Sequence, residues 1–404
     1  MRSQLHKWRW ILVTLFAAGS CAHAAPSDEW GMYQRDAVHD GYAPDTLLLN
    51  QISFAWSEHA QSTAQPVRGI AASRDAVFTT GISTASDKTL VAQSMIDGHT
   101  LWSVPFTVAG TISEPAYSDG MVWLIESNYN NSYQVVAAYL DAFDAASGAP
   151  IYHIAVNVTT TSTEAPTIAN GHVYFVSPTP FAPSGVFGSV STATGQIDWM
   201  SQSPGGDGQT ASVLNGVIYG YTTTLNELDP ATGLTTASIP DPNNSYLLTT
   251  GRAPVFVNDS AFMTQGGKVA AFDIVSQAHI WSVDSYAQGQ VSTDGNDIFY
   301  LSSGALSVHD AATGALKWGW EAPQPGPGSG GGISDNLVIT KSHVILTDGF
   351  KTYFINRATH LKDTSYSVTG VLAYAGDTLL IGDVSGIVTA FHLPSDEIFK
   401  GDFE

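Results

Sequence analysis

One stretch, Leu306 to Trp318 (LSVHDAATGALKW), limits what this chain can fold into. Leu306 and Val308 alternate with polar residues, which is the period of a strand with one apolar face. Asp310 opens a turn and Thr313-Gly314 closes it, glycine supplying the positive φ that such a turn demands. Leu316 and Trp318 then begin a second strand. A lone hairpin of this kind cannot bury its apolar side, so it needs neighbours.

The chain supplies them by repetition. Leu140 to Tyr152 (LDAFDAASGAPIY), Phe187 to Trp199 (FGSVSTATGQIDW) and Leu225 to Ala237 (LNELDPATGLTTA) carry the same pattern. Val269 to Trp281 (VAAFDIVSQAHIW) carries it with Ser276-Gln277 in place of Thr-Gly, and Leu90 to Trp102 (LVAQSMIDGHTLW) keeps Gly98, Leu101 and Trp102. Weaker copies lie at Tyr353 to His360 and Val388 to Pro394. A period of roughly 35–50 residues with several strands per unit is that of a propeller blade.

A second element, strand–tight turn–strand, precedes each hairpin. Its turns are Arg74-Asp75, Asp119-Gly120, Asn170-Gly171, Asn215-Gly216, Asn258-Asp259, Asp294-Gly295, Lys341-Ser342 and Gly376-Asp377. Asn-Gly and Asp-Gly between apolar runs are strong hairpin signals. These turns predict eight blades of four strands, A to D. The last unit, from about Val371, stops after its C strand. Ile52 to Glu58 (ISFAWSE) alternates apolar and polar residues and stands before any repeat. The expectation is an all-β, eight-bladed β-propeller of four-stranded antiparallel blades over residues 25–394, closed by this N-terminal strand completing the last blade. Closure of that kind removes exposed sheet edges.

Antiparallel order then sorts the loops. A–B and C–D turns share one face of the disc and are short. B–C and D–A loops share the other face and vary in length, which is where binding usually resides on a rigid ring. Tyr129 and Asn130 lie in one such loop, Phe181 in the next, and Tyr246 in Pro240 to Thr250. These aromatics are candidates for gripping a peptide or stacking on a sugar, or else they pack over blade ends. Glu114 and Glu164 precede A strands of neighbouring blades. Two carboxylates there could face each other across the channel and hold a cation, or lie solvated at the loop edge.

Charge narrows the partners. The chain has 15 lysines and arginines against 36 aspartates and glutamates, a formal net charge of −21. Nucleic acid is disfavoured, because phosphate neutralisation needs a basic surface, and so is an anionic membrane surface.

Arg2, Lys7 and Arg9, the apolar run Ile11 to Gly19, and Ala22-His23-Ala24 together read as a signal peptide over residues 1–24, with cleavage after Ala24. The apolar run is too short to span a bilayer, and no second run of spanning length follows. The expected product is periplasmic or secreted and monomeric, with no transmembrane segment. The one cysteine, Cys21, falls in this leader, so the mature chain would have neither disulfide nor thiolate. Lipid anchoring at Cys21 is the competing reading, and it lacks the leucine usual three places before a lipoprotein cysteine. The tail Ser395 to Glu404 (SDEIFKGDFE) is acidic and reads as a frayed terminus or a sorting tag.

Other motifs carry less. Gly326 to Gly331 (GPGSGG) has the spacing of a dinucleotide loop but prolines before it and no helix after it. His153, His172, His309 and His343 show no HxH or HExxH spacing, and His309, next to Asp310, reads as a satisfied strand histidine.

The repeated AxDxxTGxxxW with its preceding hairpin resembles the PQQ-like, or quinoprotein-type, β-propeller repeat, from about Trp30 to Pro394. The opening Trp30, Asp36, His39 and Gly41-Tyr42 resembles the start of such proteins. The resemblance implies that Trp102, Trp199, Trp281 and Trp318, with Tyr152 in the second blade, dock one blade on the next. It also offers two kinds of relative. Quinone dehydrogenases of this fold hold pyrroloquinoline quinone and calcium beside a pair of adjacent cysteines, which this chain lacks. The outer-membrane assembly propeller is similar in length and holds no cofactor. The expected function is therefore an exported, non-enzymatic propeller that binds a protein partner or extracellular ligand through its long-loop face. The alternatives are a short quinone-dependent oxidoreductase and an outer-membrane assembly scaffold.

Overall fold

The computed structural model describes residues 28–61, 65–81, 88–106, 110–132, 134–156, 158, 164–177, 185–203, 210–221, 224–243, 253–284, 287–302, 305–323 and 336–396. Residues 1–27 with Cys21 and Ala24, the residues Phe181 and Tyr246, the GPGSGG run and most of the acidic tail lie outside them.

Eight antiparallel sheets follow one another in chain order. Blade one is built from Val67–Ala72, Ala76–Gly81, Lys88–Ser94 and Thr100–Phe106, paired in that order from the channel outward. The inner strands meet around the channel, while the outer strands, such as Leu316–Glu321, are largely exposed. Among the described residues no helix is long and apolar enough to cross a membrane.

Closure runs through the N-terminal strand. Ser53–His59 pairs antiparallel with Ile387–His392, Trp56 lying opposite Ala390, and completes the eighth sheet outside Val371–Ala375 and Thr378–Gly382. Blade two departs from four strands. Its inner strand is split into Gly110–Ile112 and Ala116–Ser118, both paired with Met121–Tyr129. Pro115 falls in the break and has no N–H for a ladder. Ser113 carries the pairing across it, its N–H donating to Ile125 O at 2.9 Å and its Oγ accepting from Ile125 N at 2.9 Å.

The core is a set of seams between blades. Alternate residues of one strand go to opposite seams. Val122 and Leu124 meet Phe78 and Leu90 of blade one. Trp123 and Ile125, one place along, meet Val173 and Phe175 of blade three. Burying a side chain of this size contributes about 1.5–3 kcal/mol, so each blade is stable through its two neighbours rather than alone.

The short turns follow their sequence. Asp119-Gly120, Asn170-Gly171 and Asn215-Gly216 have positive φ at both positions, the geometry that matches strand twist in a hairpin. The C–D turns carry a contact between blades. Trp102 Nε1 donates to Ala145 O at 2.9 Å, Trp199 to Pro230 O at 2.8 Å and Trp281 to Ala311 O at 3.2 Å, each in the following blade's turn. Tyr152 does the same through its hydroxyl to Ala193 O at 2.9 Å. A Cβ on Gly148 would lie 2.7 Å from the Trp102 ring, so the turn's glycine serves φ and the indole together. Trp318 instead stacks on His360, centroids 4.4 Å apart and planes 6° apart.

Candidate functional site

Trp30 to Asp45 join no blade. They form a strap across the A–B-turn end of the channel. Trp30 exchanges backbone hydrogen bonds with Ala72 of blade one at 2.8 and 2.9 Å, and Tyr117 N of blade two donates to Gly31 O at 2.6 Å. Val213 N of blade four donates to Ala37 O at 2.7 Å, and Thr293 N of blade six to Asp40 O at 2.9 Å. Ile339 of blade seven exchanges bonds with Gly41 and Ala43 at 2.8 Å. The strap crosses the mouth by folding sharply. Gln34, Arg35 and His39 have positive φ, and Met32 and Arg35 exchange backbone bonds at 3.0 and 3.1 Å. Positive φ in non-glycine residues costs energy, and here the surrounding blades hold it in place.

A cavity of about 510 Å³ opens where the strap meets the A–B turns of blades two, three and four. Its floor is apolar, with Met32, Val38, Ile168 and Val213, and its rim is charged, with Glu29, Arg35, Asp36, Asp40 and Asp119. Arg35 Nη1 donates to Tyr42 O at 2.5 Å and lies 3.7 Å from Asp36 and 3.8 Å from Asp40. Asp36 Oδ1 accepts from Val38 N and His39 N at 3.0 and 3.1 Å, while its buried Oδ2 accepts no hydrogen bond. Asp40 Oδ1 accepts from Tyr42 N at 2.9 Å.

The site is short of positive charge. Burial, and then the Asp36 carboxylate, push the Asp40 carboxyl up to about 8 against the pull of Arg35 and the Tyr42 N–H. Burial, followed by Asp119 and Asp28, raises Glu29 as well. His39 sits at the back, Nδ1 2.7 Å from Tyr33 O and Nε2 2.8 Å from Ala211 O, and burial lowers its pKa. One engaged arginine among four acidic side chains, of which Asp40 holds its proton to about pH 8, leaves a pocket suited to a cationic group.

The residues singled out in the sequence lie elsewhere. Tyr129 ends a long B strand, half-buried, its hydroxyl 3.3 Å from Thr111 Oγ1. Asn130 builds its own loop, Oδ1 accepting from Ser132 N and Gln134 N at 2.9 and 3.0 Å. Glu114 lies in the break of blade two's inner strand and Glu164 just before that of blade three. Both are buried, at 7% exposure, which corrects the expectation of solvated loop-edge glutamates. The channel is narrow there. A Cβ on Gly69 of blade one would already lie 2.7 Å from the Glu114 side chain. His309 is held between Tyr300 Oη at 2.7 Å and Gly314 O at 2.9 Å. Trp56 occupies the same kind of contact as Trp102, its Nε1 donating to Met95 O at 2.9 Å, and the repeat pattern did not reveal it because its strand precedes the repeats. Arg35 and Asp40 were also missed, since the strap follows no periodicity, and Asp36 stood out only as part of the opening that carries the resemblance.

A second, much smaller cavity lies beneath the strap. Trp30, Tyr33 and Gln34 line its inner side with Arg68 and Glu114, and they leave about 30 Å³. That is room for about one water.

A family model described as outer membrane protein assembly factor BamB matches residues 134–319. Among solved structures, BamB from Moraxella catarrhalis is similar at a TM-score of 0.62 and 14% identity, covering 84% of this chain and 99% of that one. A europium-containing methanol dehydrogenase is similar at a TM-score of 0.63 and 10% identity, covering 92% of this chain and 99% of that one. No curated protein matches the sequence. The chain is an eight-bladed propeller similar to these proteins, and at these identities the likeness to solved structures is one of fold.

Proposed function

We propose that this chain is an exported binding propeller, a rigid ring that holds a protein partner and takes a lysine or arginine side chain of that partner into the cavity beside the strap. The observation that carries the reading is the charge of that cavity. Glu29, Asp36, Asp40 and Asp119 surround it, and Arg35 is already tied to Tyr42 O. Asp36 Oδ2 is a buried acceptor without a hydrogen bond, 3.7 Å from Arg35 Nη1, and adds to the negative potential of the cavity. The description of the matching family as an assembly factor favours a scaffold over a catalyst. The long-loop face, with Tyr129 and Asn130, is the second surface offered to the same partner.

Calorimetric titration with a lysine-rich peptide and its glutamate-rich counterpart tests this. The cationic peptide should bind, more weakly at high salt. Glu29→Gln with Asp119→Asn should weaken it by about tenfold, or 1.4 kcal/mol. Asn suits the positive φ of Asp119, so the turn should survive. Equal binding of both peptides, or an unchanged affinity in the double variant, overturns the cavity as the docking point. A loss confined to Tyr129→Ala moves it to the long-loop face.

A further inference from the structure

Among the described residues, one group of three metal-ligating types gathers away from the strap: Glu126, Asp141 and His153. They come from three adjacent strands of blade two, Met121–Tyr129, Val135–Asp144 and Pro150–Val156. The register brings them together. Asp141 lies opposite His153 on one side and opposite Leu124 on the other, so Glu126 is its diagonal neighbour. Alternation puts all three toward blade one, on the face where Leu124 and Phe143 meet Phe78. No linear motif announces such a set, because the residues are 12 and more positions apart and only pairing joins them.

The donor atoms of the three lie within 4.8 Å of one another. His153 Nδ1 is 2.6 Å from Asp141 Oδ1. Asp141 is 2% exposed, and its Oδ2 has no hydrogen-bond partner. Glu126 is buried as well, at 8% exposure. Two buried carboxylates so close together are stabilised by positive charge between them. Asn128 Nδ2 donates to Glu126 Oε1 at 2.9 Å and fixes that carboxylate, and the Tyr139 ring stacks on His153 at 4.0 Å. Supports of this kind orient ligands.

We infer that Glu126, Asp141 and His153 form a binding site for one divalent transition-metal ion of the zinc or manganese type. Two carboxylate oxygens and one imidazole nitrogen suit such ions, with water completing the shell. Bonds of about 2.0–2.2 Å require donors within roughly 4.2 Å of one another. The His153 side chain is 59% exposed, so its ring can turn to close the remaining gap and also leaves the ion a way in. The site ties the three outer strands of blade two together at the seam with blade one.

Calorimetry of the full chain after chelator treatment, titrated with zinc chloride and with manganese chloride, tests the site, alongside melting temperature with and without each ion. Wild type should take up one equivalent of at least one of the two and melt higher in its presence. His153→Ala should weaken uptake by at least about tenfold. Asp141→Asn should abolish it while melting, without metal, no lower than wild type, since it removes a buried charge. Should Asp141→Asn fail to fold, Glu126→Gln takes its place. No saturable uptake by wild type, or the same affinity in His153→Ala and the carboxylate variant, overturns the inference.

Discussion

The indole of Trp56 lies on Gly98: a Cβ added to Gly98 would stand 2.7 Å from Cδ2 of the ring, and Nε1 donates to Met95 O at 2.9 Å. Trp56 belongs to the strand that completes blade eight, and Gly98 to a turn of blade one. The contact therefore spans the joint of the ring. Trp56→Ala should destabilise by about 3–5 kcal/mol, the range for truncating a buried large aromatic. Scanning calorimetry should record a lower melting temperature, with a greater loss than for Leu234→Ala, whose side chain is 65% exposed.

Two turns lack the glycine of the repeat, and they should respond in opposite ways to its restoration. Gln277 has φ 55° and His360 φ 60°, a region that costs side-chain-bearing residues about 1–2 kcal/mol. Gln277→Gly should raise the melting temperature. His360→Gly relieves the same strain but gives up the stack on Trp318, and should not raise it. Thermal melts of the two variants side by side decide the matter.

Asp40 sets a pH dependence whose sign follows from its raised carboxyl. The folded chain holds a proton there up to about pH 8, whereas an unfolded aspartate releases it near the ordinary value of 3.8. Between those limits the folded state binds more protons. The stability contributed by this group is full below about pH 4 and is lost as pH rises toward 8. Asp40→Asn should flatten the decline. Melting temperatures of wild type and variant should diverge with pH from 5 to about 8 and run parallel above that, and curves parallel throughout would contradict the assignment.

The same proton reports on ligand entry. At pH 7 Asp40 is largely protonated, and a lysine side chain brought beside it should expel that proton. Binding enthalpies measured in two buffers of different ionisation enthalpy should differ by the equivalent of about one released proton, and Asp40→Asn should abolish the difference.

The ring itself was legible because its units repeat. The hairpin turns at Asp119-Gly120 and Asn215-Gly216 and the indoles of Trp102, Trp199 and Trp281 recur at fixed offsets, and backbone chemistry at each is local. The orphan strand around Trp56 could be placed against Val388–Phe391 because the last unit lacked an edge partner. The break at Pro115 was not foreseen, since Ser113 repairs the ladder with a side-chain bond that no pattern signals. The strap escaped for a deeper reason. Arg35, Asp36 and Asp40 are positioned by the blades they touch rather than by their neighbours in sequence. The Glu126, Asp141 and His153 group depends on strand register in the same way.

The strap also constrains the order of events during folding. Residues 30–45 precede every blade along the chain, yet their backbone partners include Thr293 and Ile339, some 250 to 300 positions later. Contacts so remote carry a large loop-closure cost until the intervening chain has condensed. A polypeptide emerging from its amino end would hold its earliest segment waiting, and that segment would find its place only after the ring around it exists.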